Sequence, residues 1–230
     1  MTVDRMTPSR NVQAAEVAVF LLLIVPSTVL SLFVIRHGQL SFLIAATAII
    51  FRDVGLVSLI LFFLWRNGEP VACVGWTRRH VARESMIGAI CFIPVFLGAP
   101  LLDRILLHAG LSGPATPPPS FLNDKGPAEE LLAVVLVMVV AVTEETIFRG
   151  YLLLRFLPIL RSTTASVLLS SAIFALGHGY EGSSGLVTVG VMGAVFALVY
   201  LWRRSLVAPI VMHLLQDLLS VVILPALGPR

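Results

Sequence analysis

The chain has 230 residues, of which 57% are hydrophobic and only 13% are charged. Soluble domains contain roughly 25% charged residues, so this composition excludes an ordinary soluble protein and predicts one that is embedded in a lipid bilayer. The formal net charge of +3 comes from arginines in short loops between apolar stretches, where they set membrane orientation and do not indicate a nucleic-acid partner.

Apolar stretches follow one another along the whole chain and leave no separate soluble domain. Lipid tolerates only segments that satisfy their own backbone hydrogen bonds, so each stretch is interpreted as a helix. At about 20 residues per crossing, the length allows about seven, or eight, spanning helices. The sequence therefore predicts an all-α transmembrane helix bundle that forms one domain over 1–230. The predicted spans are 15–35, 41–65, 86–107, 130–155, 163–178, 185–202 and 206–227.

The composition of the loops between the predicted spans indicates where the helices end and how the protein is oriented in the membrane. Pro114 to Pro119 cannot be helical and separates the third span from the fourth, and Gly182 to Gly185 is expected to separate the fifth from the sixth. Cytoplasmic loops hold the excess of basic residues, which places the N-terminus in the cytoplasm. We expect an integral protein of a prokaryotic inner membrane. The inner residues are Arg5, Arg10, Arg66, Arg78, Arg79, Arg83, Arg155, Arg161, Arg203 and Arg204, against Arg36, Lys125 and Arg230 outside.

The fourth span contains a cluster of charged residues, each of which costs about 2.5–3.5 kcal/mol at the centre of a spanning helix. Glu145 and Arg149 are four residues apart and share a helix face, so we expect them to form an ion pair. Glu144 points about 100° away and is the carboxylate left available for chemistry. The alternative is an ion-pair cluster that only fixes helix packing.

The fifth and seventh spans bring further polar groups. His178 ends the fifth span, and His213 and Asp217 share one face of the seventh. Counted at 1.5 Å per residue from the inner ends of their helices, Glu144, His213 and Asp217 lie about 16, 14 and 20 Å deep. His178 lies at about 25 Å, which does not agree with the other three. His178 alone, or a polar pair of His213 with Asp217, can also be structural.

Three short motifs occur in order on these successive hydrophobic segments. Together they resemble the CAAX protease and bacteriocin-processing family of intramembrane peptidases, which includes the type II CAAX prenyl endopeptidases. The resemblance covers about 90 residues and predicts a catalytic core at 130–220. The motifs are EExxxR at Glu144, Glu145 and Arg149, FxxxH at Phe174 and His178, and HxxxD at His213 and Asp217, where many relatives have Asn in place of Asp217.

The resemblance implies peptide-bond hydrolysis within the membrane. It makes Glu144 the general base that activates a water together with His178. His213 and Asp217 would position or stabilise the oxyanion or complete a metal site, and Asp217 would fix the tautomer of His213. The implied catalytic group is Glu144, Glu145, His178, His213 and Asp217, with Arg149 and Phe174 as structural support.

The sequence is compatible both with a divalent metal cofactor and with none. Glu144, His178 and His213 are chemically adequate ligands for a divalent metal such as zinc. The sequence has no HExxH motif, however, and a metal-free glutamate mechanism is equally compatible with these residues.

Three functions are compatible with this sequence. The motifs favour an intramembrane endopeptidase whose partners are the lipid bilayer and a membrane-embedded or lipid-modified peptide substrate. A proton-coupled transporter also uses buried carboxylates and histidines, but the chain has no internal repeat of the kind many transporters show. A non-catalytic membrane scaffold or immunity protein is the third possibility. Arg52 and Asp53 in the second span are interpreted as a local ion pair or a helix break without a catalytic role.

Overall fold

The computed structural model describes residues 8–37, 41–78, 80–114 and 126–227. This part of the chain is all-helical, with 86% helix and no strands, which confirms the predicted fold class. Two short 3₁₀ turns, Val71–Val74 and Gly179–Glu181, connect longer helices. The helices are α1 Arg10–His37, α2 Phe42–Arg66, α3 Val81–His108, α4 Pro127–Leu160, α5 Thr163–Leu176, α6 Gly182–Arg203 and α7 Val207–Ile223, which Leu224–Leu227 extends.

Among the residues that the structure describes, four segments are long and apolar enough to cross a membrane: α2, α3, α4, and α6 together with the turn before it. α5 and α7 are shorter apolar helices. α5 has 14 residues and ends at Leu176, two residues before the predicted end of the fifth span. At 1.5 Å per residue it is about 21 Å long, which is less than the thickness of the hydrocarbon core. His178 therefore lies in the turn after α5 and not on the helix itself.

The break between the fifth and sixth predicted spans lies earlier than the glycines suggested. α6 begins at Gly182, so Gly185 belongs to its first turn. Gly182 has φ +82°, and a Cβ at this position would collide with the backbone of Gly113. The backbone N–H of Ser184 also donates to Ser112 O at 3.0 Å. The glycine thus allows the start of α6 to pack against the loop after α3.

One end of the bundle is held by five residues that we call the Arg155 cluster. Arg155 donates from Nη1 to Glu69 at 2.9 Å, and its Nε lies 3.0 Å from Glu16 Oε2. Glu16 also accepts hydrogen bonds from Arg66 and from the Tyr151 hydroxyl. The start of α1, the end of α2 and the end of α4 therefore meet at the same end of the bundle.

The ion pair between Glu84 and Arg203 joins the start of α3 to the end of α6, with an Nη2 to Oε1 distance of 2.6 Å. This contact agrees with the alternating directions expected for consecutive crossings. Which end faces the cytoplasm stays a prediction. The proline-rich break at 115–119 lies outside the described residues, as do Arg5, Arg79, Lys125 and Arg230.

Candidate active site

The charged motif of α4 lies at the point where the helix changes geometry. Glu144 and Glu145 end its α-helical part, and Thr146–Leu152 form a π-helical segment in which all seven residues are buried. Ser170 of α5 donates to the carbonyl oxygen of Phe148 in this segment at 2.7 Å. A second π-helical segment, Leu218–Ile223, directly follows Asp217. π-helical turns inside α-helices occur frequently at functional sites, and here each one follows a motif carboxylate.

Glu145 connects two of the motifs. Its Oε1 lies 2.8 Å from Arg149 Nη1 and 2.8 Å from His213 Nδ1, and the Glu145 side chain is fully buried. The predicted ion pair with Arg149 is therefore present. Because the guanidinium can only donate, Glu145 is a carboxylate that accepts from both partners. His213 must then hold a proton on Nδ1, while its Nε2 faces the opposite side.

His213 Nε2 faces the other two motif carboxylates. It lies 3.4 Å from Asp217 Oδ2 and 3.8 Å from Glu144 Oε2. The second distance is too long for a direct hydrogen bond. Glu144 Oε2 is buried and has no hydrogen-bond partner among the described residues. The partner of Nδ1 is thus Glu145 and not Asp217. Two buried carboxylate oxygens of the motif, Oε2 of Glu144 and Oε2 of Glu145, make no hydrogen bond to a described residue.

Phe174 contacts both histidines. Its ring centroid lies 5.0 Å from that of His178 and 6.0 Å from that of His213, and the Arg149 Cζ atom lies 4.3 Å from the same centroid. His178 is close enough to interact electrostatically with His213 and Asp217. The depth difference calculated for a straight fifth helix therefore does not remove His178 from the site.

α6 contributes to this arrangement through a glycine. Arg149 Nη2 donates to the carbonyl oxygen of Gly193 at 3.2 Å. A Cβ at Gly193 would lie 3.1 Å from that same Nη2 atom and 3.1 Å from Phe174 Cδ1. The absence of a side chain at Gly193 is therefore what makes room for Arg149 beside Phe174.

Residues 127–219 match the family model described as Rce1-like, type II CAAX prenyl endopeptidase. This part of the chain is similar to that family. This match confirms the resemblance predicted from the motifs, and it supports a CAAX-type intramembrane endopeptidase in general and an integral membrane protein. No curated protein and no solved structure matches the chain. The Rce1-like segment begins with α4, ends in α7 and includes every predicted site residue.

Sequence reasoning missed one carboxylate beside the Rce1-like motifs. Asp53 of α2 is 1% exposed, and its Oδ2 lies 3.2 Å from Thr143 Oγ1, next to Glu144 in the chain. The predicted ion pair with Arg52 is present, with Nε to Oδ1 at 2.8 Å. The sequence feature that could have pointed to Asp53 was the pair of opposite charges, Arg52 and Asp53, in the middle of an apolar span. Nothing in the sequence showed which neighbouring helix these charges face.

The predicted metal ligands were tested against the positions of the side chains. Within the described ranges, no three His, Cys, Asp or Glu side chains converge closely enough to hold a metal ion. His213 Nδ1 is already engaged by Glu145, and His178 Nδ1 lies 3.3 Å from the carbonyl oxygen of Phe174. Glu144, His178 and His213 thus do not fit a metal in this arrangement. The metal stays a prediction, and no reaction step below depends on one.

Proposed function

We propose that the protein hydrolyses a peptide bond near the C-terminus of a lipid-modified or membrane-associated peptide, and that Glu144 activates the water. The observation that supports this proposal is the buried Glu144 Oε2 atom, which has no partner in the described part of the chain and faces His213 Nε2 at 3.8 Å. Polar atoms too far apart for a direct hydrogen bond can be bridged by a water molecule.

In the proposed reaction, Glu144 takes a proton from the water as the new bond forms between the water oxygen and the peptide carbonyl carbon. His178 helps to hold the water. His213, protonated on both ring nitrogens with its charge balanced by the Asp217 carboxylate, donates from Nε2 to the carbonyl oxygen as negative charge develops there. Glu144 then transfers the proton to the leaving nitrogen as the C–N bond breaks. Glu145 and Arg149 contribute by holding His213 through Nδ1, so they are positioning residues.

The surroundings of the site favour a substrate that arrives from the membrane. The helices around the site present large apolar side chains outwards, such as Phe51 of α2 at 72% exposure and Leu97 of α3 at 66%. A lipid group on the peptide would concentrate the substrate in this apolar phase, since each buried CH₂ contributes about 0.8 kcal/mol. The family description points to a prenyl group as the first lipid to test.

The decisive experiment compares wild-type protein with Glu144→Gln, purified in detergent and assayed on an isoprenylated peptide with a CAAX C-terminus. Loss of a general base lowers the rate by about 10²–10⁴-fold, and we expect a decrease of that size with an unchanged thermal unfolding midpoint. Glu130→Gln is the matched control, because it makes the same chemical change at an exposed position of the same helix. Undiminished turnover by Glu144→Gln would remove the proposal.

Two further measurements distinguish the alternatives. If the wild-type protein cleaves no peptide but moves protons with a solute into proteoliposomes, it is a transporter. If Glu144→Gln and the wild type support the same cellular phenotype, the protein is a non-catalytic scaffold or immunity protein.

An activity assay after exhaustive chelation, with metal analysis of the same sample, tests whether a divalent metal takes part.

A further inference from the structure

Arg52 is a cation in the middle of an apolar helix. At 1.5 Å per residue along the helix axis, Arg52 lies about 15 Å from the first residue of α2 and about 21 Å from its last residue, Arg66. A guanidinium at this depth cannot reach either membrane surface along its own side chain, which spans only a few bonds. Such residues in spanning segments face a protein interior or a wet cavity and usually have a function.

The guanidinium of Arg52 is only partly used by the protein. Its Nε donates to Asp53 Oδ1 at 2.8 Å. In the ranges that the structure describes, neither terminal nitrogen of Arg52 has a hydrogen-bond or ion-pair partner, and 30% of the side chain is exposed. Arginine presents its donors as a planar fork that matches the two oxygens of a carboxylate. The two terminal nitrogens of Arg52 are therefore available to bind a carboxylate.

The position of Arg52 relates this group to the site. Asp53 binds Arg52 with one oxygen, and its other oxygen lies 3.2 Å from Thr143, which precedes Glu144. Arg52 and Asp53 are both close enough to interact electrostatically with the Glu144 carboxylate. Asp53 is buried while Phe51 is 72% exposed, so Arg52 lies at the border between the packed and the lipid-facing sides of α2.

The other guanidinium of the site is not available for a ligand. Arg149 is 1% exposed, pairs with Glu145, donates to Gly193 O and stacks on the Phe174 ring. Arg52 is thus the cation beside Glu144 that still has free donors. It lies in α2, outside the segment 127–219 that matches the family model.

We propose that Arg52 binds a carboxylate of the peptide substrate and so selects where the chain is cut. This inference rests on the proposed peptidase function. A peptide offers two sources of this group, its C-terminal carboxylate and an acidic side chain near the cleaved bond. Binding a carboxylate at Arg52 orients the chain across α2 and α4 and places a nearby peptide bond at Glu144.

The test uses one isoprenylated peptide in three forms: a free C-terminal acid, a C-terminal amide, and the amide with Asp as its last residue. A charge-assisted hydrogen bond contributes about 1.5–3 kcal/mol, so we expect kcat/KM of the wild type to be roughly 10- to 100-fold higher for the preferred carboxylate than for the plain amide. Arg52→Gln should reduce this ratio to about one by slowing only the carboxylate substrate, and Arg52→Lys should keep part of it.

Three variants separate substrate binding from structure. Arg52→Gln leaves Asp53 without its cation, so the double variant Arg52→Gln with Asp53→Asn removes both charges and should show the same loss of preference. Arg104→Gln makes the same change at an exposed position of α3 and should keep the wild-type ratio. A preference that persists in Arg52→Gln, or a wild type that cleaves all three forms equally, overturns the role of Arg52 while the peptidase stands. A wild type that cleaves none of the peptides overturns both proposals.

Discussion

α4 contains two groups of buried ions that differ in how completely they are paired. In the Arg155 cluster the guanidinium lies between Glu69 and Glu16, and each of these charges has a partner of opposite sign. About 15 Å along the same helix, the pair of Glu145 with Arg149 leaves the neighbouring Glu144 with a buried, unpartnered oxygen. Charge inside a spanning helix is therefore not by itself a sign of chemistry. The unpartnered carboxylate is what distinguishes the site.

The two groups also connect different parts of the molecule. The Arg155 cluster joins α4 to α1 and to the end of α2, which lie outside the Rce1-like segment. The group around Glu145 joins α4 to His213 of α7 and Gly193 of α6, all within that segment. The first holds the N-terminal helices to that segment, and the second lies within it. Changes at the two groups should consequently affect stability and catalysis in different proportions.

The largest effect on stability is expected from Arg155→Met. It removes the cation from between two acidic side chains, and breaking a buried ion pair in this way costs about 3–5 kcal/mol. Thermal unfolding in detergent measures the loss, and Arg161→Met at the exposed end of α4 is the control. Activity per folded molecule should stay near the wild-type value. A specific loss of catalysis without a loss of stability would show that the Arg155 cluster is not merely structural.

An intermediate effect is expected from Gly193→Ala, which changes the packing around the ion pair of Glu145 with Arg149. The new Cβ lies 3.1 Å from both Arg149 Nη2 and Phe174 Cδ1, and overpacking of this kind costs about 1–3 kcal/mol. Since Arg149 and Phe174 position the histidines, cleavage should decrease as well. Gly190→Ala is the matched control on the same helix, because its Cβ meets Ala175 at an ordinary 3.6 Å. Equal behaviour of the two variants would contradict the close packing at Gly193.

The smallest effect is expected from Ser170→Ala, which removes the hydrogen bond to the carbonyl oxygen of Phe148 in the π-helical segment. Loss of one such bond costs about 1 kcal/mol. Ser166→Ala is the control, because the Ser166 hydroxyl only bonds back to Ser162 O within its own helix. Hydrogen exchange of Thr146–Leu152 should increase in Ser170→Ala and not in the control. Unchanged exchange in both variants would show that α5 does not support the π-helical geometry.

Predicted side-chain contacts are present in the structure where one helix was enough to decide them. Glu145 with Arg149, and His213 with Asp217, are four residues apart, and the structure places both pairs in contact. The contact of Glu145 with His213 Nδ1 was not predicted, because the two residues are 68 positions apart in the chain and spacing gives no information about such a contact. The place of Asp53 beside Thr143 was missed for the same reason.

The sequence by itself determined that the chain is a bundle of apolar helices, and which residues share a helix face. Both follow from local rules, since lipid requires internally bonded helices and the helical repeat fixes neighbours three and four positions apart. Only the tertiary structure decided that Glu145 meets His213, that Phe174 lies against both histidines, and that Asp53 and Arg52 lie beside Glu144. These contacts depend on how helices rotate and pack against one another, and that depends on side-chain shapes along the whole length of each interface.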